Sequence, residues 1–267
     1  MNIEYPILGL IQGFTEPIPV SSSGHLKLFK AIFNLKNLND LNFDIIVNFG
    51  SLLAIIFIFR KDLIKLIKSF FEYIFNKNRK SNYLNFKYCL LIIIATIPIG
   101  LIGYLTKDII ENKLGSMNFL AISFLITAMS LFLVRKIKGK KDDQDLTYKD
   151  AIIIGLFQIL AIIPGISRSG MTLVGCLVRD LKRETSLKFT FLLYIPVSLA
   201  TMLLGVLDIA KTGSLSKVFL PYSVGLLLSL LATLVSYKFL SNIVKKGKLI
   251  IFALYCLILS LSIFIFF

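Results

Sequence analysis

Long apolar runs dominate this 267-residue chain and constrain its fold more than any other feature. Hydrophobic residues make up 56% of the sequence, which is more than a water-soluble protein of this length can bury. A run of roughly 20 apolar residues is enough to cross a bilayer as one helix. We therefore predict an all-α, polytopic integral membrane protein. The apolar regions are residues 5–32, 43–59, 86–106, 117–135, 151–178, 187–207, 218–240 and 249–267.

Two of these regions are interrupted by helix breakers and polar residues. The first holds QGFTEPIPVSSSGH, residues 12–25, and the second holds GLFQILAIIPGISRSGMT, residues 155–172. Proline and glycine stop either region from forming one continuous helix. Irregular backbone at membrane depth is tolerated only where protein buries it or water reaches it. We therefore predict two re-entrant hairpins of short helices, whose broken stretches face each other and form one site.

The two broken stretches also indicate an internal repeat. A shift of about 146 positions aligns identical residues, such as Ser169 with Ser23. We predict a single membrane domain with two halves, residues 1–140 and 147–267, each made of one re-entrant hairpin and three transmembrane helices. Because three crossings reverse the direction of the chain, the second half is predicted to be inverted relative to the first.

Basic residues set the predicted orientation. The net charge is +15, and 22 of the 30 lysines and arginines fall in four segments between apolar regions. Cytoplasmic loops of membrane proteins carry such an excess, so we place these segments in the cytoplasm and both chain termini on the outer side. No pattern of aromatic and basic residues predicts nucleic-acid binding. The four segments are 60–87, 135–149, 179–188 and 238–248.

The first broken stretch contains groups that can carry out chemistry. Glu16 lies one helical turn after Gln12, and a carboxylate at membrane depth is costly enough to indicate function, although it could also cap the next half-helix. His25 is the only histidine of the chain. It could accept a proton from a serine, attack phosphorus itself or protonate a leaving group, unless it is only a hydrogen-bonded core residue. The hydroxyl groups beside it belong to Ser21, Ser22 and Ser23.

The second broken stretch has the composition of an anion site. Its glycines let the backbone approach closely, and the following helix offers free N–H groups and the positive end of its dipole. The planar guanidinium of Arg168 suits phosphate oxygens, or it pairs with Glu16 for structural reasons, which would also bring the two stretches together. The predicted phosphate-binding residues are Gln12, Ser21, Ser23, Gly165, Ser167, Ser169, Gly170 and Thr172.

These groups together predict a phosphate pocket inside a bilayer, and hence a substrate with a phosphate headgroup and an apolar tail. The sequences QGFTEPIPVSSSGHL and PGISRSGMT resemble the two signatures of the undecaprenyl-diphosphate phosphatases, the bacitracin-resistance membrane phosphatases of bacteria. The resemblance covers essentially the whole chain. It implies hydrolysis of undecaprenyl diphosphate to the monophosphate, which recycles the lipid carrier of cell-wall synthesis in the plasma membrane and confers bacitracin resistance.

The resemblance also implies the site residues and a cofactor. It implies a divalent cation, Mg²⁺ or Ca²⁺, with Glu16 as a ligand, and it leaves open whether the protein is a homodimer. Ser22 and His25 both stay candidates for the nucleophile. The residues that match functional positions of the family are Gln12, Glu16, Ser22, His25, Ser167, Arg168 and Thr172.

Three residues depart from the family pattern. Gln12 removes a possible second carboxylate, Asn48 stands where a histidine is common, and Pro17 replaces an aromatic or aliphatic residue. A second function is also open, because inverted repeats with broken helices are typical of transporters, and a flippase for lipid phosphates or an anion transporter would use the same site. The grouping of Glu16 with serines and His25 favours hydrolysis, since transport of a phosphate does not require it.

The charge distribution predicts a topology that can be measured. A reporter fused after Phe267 should be active outside the cytoplasm, and a cysteine label at Lys140 should react only after permeabilisation. If Phe267 and Lys140 report the same side of the membrane, the two halves are not inverted.

Overall fold

The computed structural model describes residues 3–35, 41–75, 79–113, 116–212 and 215–267. Within these ranges the chain forms α-helices joined by short turns and contains no β-strand, which confirms the predicted all-α class. The helices are α1 (Glu4–Thr15), α2 (Ser22–Ile32), α3 (Leu41–Ile58), α4 (Arg60–Phe75), α5 (Arg79–Lys113), α6 (Met117–Val134), α7 (Tyr148–Ile159), α8 (Arg168–Val178), α9 (Arg183–Thr212), α10 (Leu215–Lys245) and α11 (Ile250–Phe266).

Four of the described helices, α5, α6, α9 and α10, contain segments long and apolar enough to cross a membrane. Helix α3 continues through a 74° bend into α4, and this bent pair is a fifth candidate. Helix α11 has 17 residues and is slightly short for a span by length alone. The structure therefore supports four to five of the six predicted crossings, and the chain is a multi-pass membrane protein.

Helix α4 is a feature that the sequence analysis missed. The charge of segment 60–87 predicts a cytoplasmic connection, and its described residues form α4 and the first turns of α5. Lysines and apolar residues alternate along α4 at helical spacing, so its average hydropathy resembles that of a loop. The number of charged residues in this segment therefore does not reveal that it forms an amphipathic helix.

The two broken regions form the expected pairs of short helices. Helices α1 and α2 are joined by a turn, and α7 and α8 are joined by a 3-10 turn (Leu160–Ile162) and a short loop. Each second helix begins at a serine cap, since Ser21 accepts a hydrogen bond from the N–H of Gly24 at 3.2 Å and Ser167 accepts one from Gly170 at 3.0 Å. In both helices the serine hydroxyl thus accepts from a backbone N–H of the first turn, which has no carbonyl partner within the helix.

The open end of the first hairpin, where α1 begins and α2 ends, lies beside the start of α3. Lys30 near the end of α2 pairs with Asp44 in the first turn of α3 at 2.8 Å. Tyr5 at the start of α1 packs edge-on against Phe43, with ring centroids 5.0 Å apart. Both ends of this hairpin therefore lie where α3 begins.

The second hairpin opens at a cluster of ion pairs that we call the basic end, formed by Lys141, Arg179 and Lys188 with Asp150 and Asp62. Asp150 in the first turn of α7 accepts hydrogen bonds from Lys141 at 3.0 Å and from Arg179, at the end of α8, at 2.7 Å. Lys188 of α9 pairs with Asp62 of α4 at 3.0 Å, so the basic end lies beyond the end of α3. These contacts support the inverted arrangement, which stays a prediction.

Asp150 is held ionised at the basic end. Burial raises the pKa of its carboxyl and is the largest single influence, but hydrogen bonds from Thr147, Lys141 and Arg179 together outweigh burial and hold the pKa below its usual value. Because the folded-state pKa is lowered, the carboxylate stabilises the fold at neutral pH, and this contribution is lost as the pH falls through the folded-state pKa.

Helix α1 lies very close to α10. A Cβ atom on Gly9 would lie 2.4 Å from the carbonyl oxygen of Gly225, and one on Gly13 would lie 2.1 Å from that of Ser229. Thr233 donates a hydrogen bond to the carbonyl oxygen of Gly13 at 3.0 Å. Small residues that let two backbones approach are a common basis of helix association in membranes. The contact between α1 and α10 therefore depends on glycine at these positions.

Gly9→Ala should lower the thermal stability of the purified protein, because the new Cβ meets backbone that cannot move aside. The expected cost is about 1–3 kcal/mol, as for other overpacked sites. Gly100→Ala is the matched control, since a Cβ there has no atom within 4 Å, and alanine is favoured over glycine in a helix by up to about 1 kcal/mol. Equal melting temperatures for the two variants in detergent would contradict this account of the packing.

Candidate functional site

Glu16 is the centre of the polar site. It follows the last residue of α1, is 9% exposed and accepts hydrogen bonds through both carboxylate oxygens. Oε2 accepts from Gln12 Nε2 at 2.7 Å and, at very short range, from Ser22 Oγ. Oε1 accepts from Arg168 Nη2 at 2.9 Å. One buried carboxylate thus joins a hydroxyl of the first hairpin to the guanidinium of the second.

Two helix N-termini converge on this carboxylate. Ser22 is the first residue of α2 and Arg168 is the first residue of α8, and both contact Glu16 through their side chains. Helix starts carry unpaired N–H groups and the positive end of the helix dipole, so two of them facing one point form an environment suited to an anion. The predicted juxtaposition of the two broken stretches is therefore found in the structure.

Arg168 also contacts an aromatic residue that the sequence analysis did not identify. Its guanidinium carbon lies 4.5 Å from the ring centre of Tyr194 on α9. The Tyr194 hydroxyl donates a hydrogen bond to the backbone carbonyl of Asn48 at 3.3 Å, which ties α9 to α3. Tyr194 lies between Leu193 and Ile195 in an apolar span, and nothing in the local sequence marks it.

His25 contacts side chains of α6 and α11 and makes no hydrogen bond to the ion pair among the described residues. Its Nδ1 donates to the carbonyl oxygen of Ser21 at 2.7 Å, because a carbonyl can only accept. In the neutral ring Nε2 is then the acceptor, and the hydroxyl of Tyr255 donates to it at 2.7 Å. The ring of Phe124 packs edge-on against the imidazole. Tyr255 is a second residue that the sequence analysis missed, since it lies 230 positions away in an apolar run.

An apolar groove lies beside His25. It has a volume of about 510 Å³ and runs between α1, α2, α10 and α11. His25, Tyr255 and Thr15 supply polar atoms in an otherwise apolar wall. The groove therefore offers space for a hydrocarbon chain next to a polar group of the first hairpin. The apolar side chains of the wall include Leu10, Phe14, Leu28, Phe29, Ile32 and Leu259.

Ser169 and Ser23 occupy different positions in the site. Ser169 Oγ lies 3.3 Å from the carbonyl oxygen of Glu16 and 3.4 Å from that of Ile18, so it donates to the turn of the opposite hairpin. Ser23 is exposed and its hydroxyl contacts that of Ser21 at 3.4 Å. Ser169 thus donates to backbone carbonyl groups in the turn of the first hairpin, whereas the hydroxyl of Ser23 is accessible at the start of α2.

The other predicted phosphate-binding residues of the second stretch are engaged within the protein. Ser167 is 1% exposed, and its backbone N–H donates to Thr127 Oγ1 at 3.3 Å. Thr172 donates to Gln158 Oε1 at 3.2 Å and to the carbonyl of Arg168 at 2.9 Å. Their phosphate-binding role stays a prediction. Gly165 is also buried and lies against Leu120 and Ser123. Gly170 is buried against Ser167 and Pro19.

The residues around Glu16 limit how a metal ion could bind. Among the described residues no three side chains of His, Cys, Asp or Glu lie together in the manner of a metal site. Mg²⁺ is nevertheless commonly held by one or two carboxylates together with the phosphate oxygens of a substrate. Glu16 is the carboxylate that would hold a cation of that kind, and the divalent cation stays a prediction.

Fold and site define a multi-pass membrane protein in which two helical hairpins enclose a polar, anion-suited centre next to an apolar groove. The chain matches the family model described as Bacitracin resistance protein BacA over residues 5–262, and it belongs to that family. It is 47% identical over 264 residues to Undecaprenyl-diphosphatase 2 of Bacillus thuringiensis, covering 99% of this chain and 97% of that protein. It is 40% identical to Undecaprenyl-diphosphatase of Oceanobacillus iheyensis, covering 99% and 96% of the two chains.

Arg168→Ala should lower the melting temperature in detergent, because it leaves the buried carboxylate of Glu16 without its cation, at a cost of about 3–5 kcal/mol. Glu16→Gln combined with Arg168→Ala should regain much of that stability. Lys182→Ala is the matched control, since its pair with Asp142 at 2.6 Å is exposed, and exposed surface pairs contribute little to stability. An unchanged melting temperature in Arg168→Ala would show that the ion pair does not hold the hairpins together.

Proposed function

We propose that this protein is a membrane phosphatase that hydrolyses undecaprenyl diphosphate to undecaprenyl phosphate and inorganic phosphate in the bacterial plasma membrane. The observation that carries the proposal is the contact of one carboxylate, Glu16, with the hydroxyl of Ser22 and the guanidinium of Arg168. The curated relatives carry the name undecaprenyl-diphosphatase at 40–47% identity. The reaction recycles a lipid carrier for cell-wall synthesis and accounts for bacitracin resistance.

Ser22 is the nucleophile in this proposal. Its hydroxyl already donates to Glu16, which is the arrangement of a nucleophile and its base. As Ser22 Oγ bonds to the terminal phosphorus, its proton passes to Glu16 and the bond from that phosphorus to the bridging oxygen breaks. Undecaprenyl phosphate leaves, and water then hydrolyses the phosphoserine to release inorganic phosphate.

His25 is assigned the proton-transfer role rather than the nucleophilic one. Both of its ring nitrogens have hydrogen-bond partners, Ser21 on one side and Tyr255 on the other. Attack on phosphorus would require Nε2 to give up the Tyr255 hydroxyl, whereas proton exchange with the leaving group or with water can proceed through it.

Arg168 and the starts of α2 and α8 stabilise the phosphate charge that develops in the transition state. Arg168 neutralises Glu16 in the absence of substrate, so a diphosphate brings more negative charge than the side chains balance. A divalent cation, Mg²⁺ or Ca²⁺, would be held by Glu16 and would supply the missing positive charge. The apolar groove beside His25 accommodates part of the prenyl tail.

The orientation in the membrane is part of the proposal. We place the basic end in the cytoplasm, both chain termini outside and the second half inverted relative to the first. The ion pairs at the basic end and the Lys30–Asp44 pair at the opposite end support this arrangement. A homodimer is also compatible with the family, and crosslinking in membranes tests it.

Purified protein in detergent, supplied with Mg²⁺ or Ca²⁺, should release inorganic phosphate from a prenyl diphosphate, whereas a protein that only flips or transports the lipid releases none. Ser22→Ala should reduce release about a thousandfold or more, as loss of a nucleophile does. A phosphorylated peptide containing Ser22 should be trapped by rapid quenching of wild type in denaturant at mildly alkaline pH, where phosphoserine and phosphohistidine both survive.

Ser23→Ala is the matched control for this experiment, because Ser23 is adjacent yet contacts Ser21 rather than Glu16. It should lose far less activity than Ser22→Ala. Phosphate recovered on His25 instead of Ser22 would exchange the proposed roles of these two residues, and absence of release by folded wild-type protein with cation present would refute the phosphatase assignment.

A further inference from the structure

Helix α4 has three distinct faces. One face packs on the start of α5, one carries exposed apolar side chains and one carries lysines. Apart from the adjacent Ile74 and Phe75, successive members of the apolar and lysine faces are three or four residues apart, which is the spacing of neighbours on one side of a helix. The contact with α5 covers only one apolar face of α4. The second apolar face therefore requires another partner.

The face against α5 is fully paired. Asn85 of α5 donates to Ser69 Oγ at 3.0 Å, and the ring of Phe86 stacks on Tyr73 with centroids 4.0 Å apart and on Phe70 at 5.4 Å. These contacts fix the rotation of α4 about its own axis. The other two faces therefore point in directions that the fold determines.

The second face is apolar and exposed. Its side chains form a continuous stripe at helical spacing, and Phe71 in the middle of the stripe is 53% exposed. A stripe of this length on a water-exposed helix would be unfavourable, because it leaves several large apolar side chains in contact with water. The stripe consists of Ile64, Ile67, Phe71, Ile74 and Phe75.

The third face is basic. Lys61, Lys65 and Lys68 are exposed on it. The two acidic residues of α4 already have cationic partners, because Asp62 pairs with Lys188 at 3.0 Å and Glu72 lies 3.7 Å from Lys68. Glu72 therefore offsets part of the charge of Lys68, and Lys61 and Lys65 carry most of the positive charge beside the apolar stripe.

The position of α4 along the chain limits which partner can cover the stripe. Helix α4 starts at Arg60, two residues after the end of α3, and the chain bends by 74° between them. Helix α3 is apolar over residues 52–58, and Arg60 and Lys61 follow closely, so the end of α3 lies near a boundary of the bilayer. The bend turns α4 away from the direction of the span at that boundary, where headgroups and hydrocarbon meet.

We propose that α4 is an interfacial helix that binds anionic lipid, with its apolar stripe among the acyl chains and Lys61, Lys65 and Lys68 on the headgroups. Both elements of interfacial binding are present on adjacent faces, apolar area and positive charge. Basic residues near an anionic surface are attracted to it, so this lysine face distinguishes anionic from zwitterionic lipid. This inference is independent of the phosphatase activity.

Fluorescence quenching tests the proposal directly, because the chain contains no tryptophan. Phe71→Trp is reconstituted in bilayers of phosphatidylglycerol and phosphatidylcholine at one fixed ratio, with bromine on the acyl chains of one lipid or the other. Emission should be quenched by both, and at least about twofold more strongly by brominated phosphatidylglycerol. Ile67→Trp is the substitute if Phe71→Trp does not fold.

Two matched controls separate the stripe and the lysines from general effects. Phe70→Trp lies on the face against α5 and should be quenched much less than Phe71→Trp. Changing Lys61, Lys65 and Lys68 together to Gln should abolish the preference for phosphatidylglycerol. The same loss of three charges outside α4, at Lys136, Lys138 and Lys140, should leave the preference unchanged.

Three outcomes would overturn the proposal. Equal quenching by the two lipids, or a preference that survives the change of the α4 lysines, would overturn the anionic-lipid assignment. Blue-shifted emission that neither lipid quenches would show that protein, such as a second copy of the chain, covers the stripe, and it would overturn the proposal as well.

Discussion

The ion pair between Glu16 and Arg168 is the interaction on which the rest of the site depends. It joins two hairpins that are 152 positions apart in the chain. Removing two charges from water is costly, and the cost is offset only when further hydrogen bonds complete the geometry. Gln12 and Ser22 supply those bonds to Glu16, and the ring of Tyr194 covers the guanidinium. The pair therefore also fixes the two helix starts that face it.

Turns inside a membrane must satisfy their own backbone, because no water is available to do so. Here the two hairpins and their neighbours do this for one another. Ser169 of the second hairpin donates to carbonyl groups in the turn of the first, and Thr127 of α6 accepts from the N–H of Ser167. Several serines that read as phosphate ligands in the sequence thus have a structural role in holding the turns.

The polar centre and the apolar groove are separate but adjacent. Glu16, Ser22 and Arg168 form the charged centre, while His25 faces the groove and is held there by Tyr255. An amphipathic diphosphate needs both environments at once, one for the headgroup and one for the tail. The close approach of α1 to α10 allows this arrangement, since the groove lies between those two helices and α2 and α11.

The sequence alone determined the helical membrane class, the two broken hairpins and the residues Glu16, Ser22 and Arg168. Apolar run length, helix breakers and charged residues within apolar runs can be recognised in the local sequence, whatever the packing of the helices. Tertiary structure decided the partners, namely Tyr194 beside Arg168 and Tyr255 on His25. Both tyrosines lie in apolar helices where no local pattern distinguishes a site residue from a lipid-facing one. Only the packing of distant helices brings a particular hydroxyl or ring to the site, so sequence periodicity could not identify them.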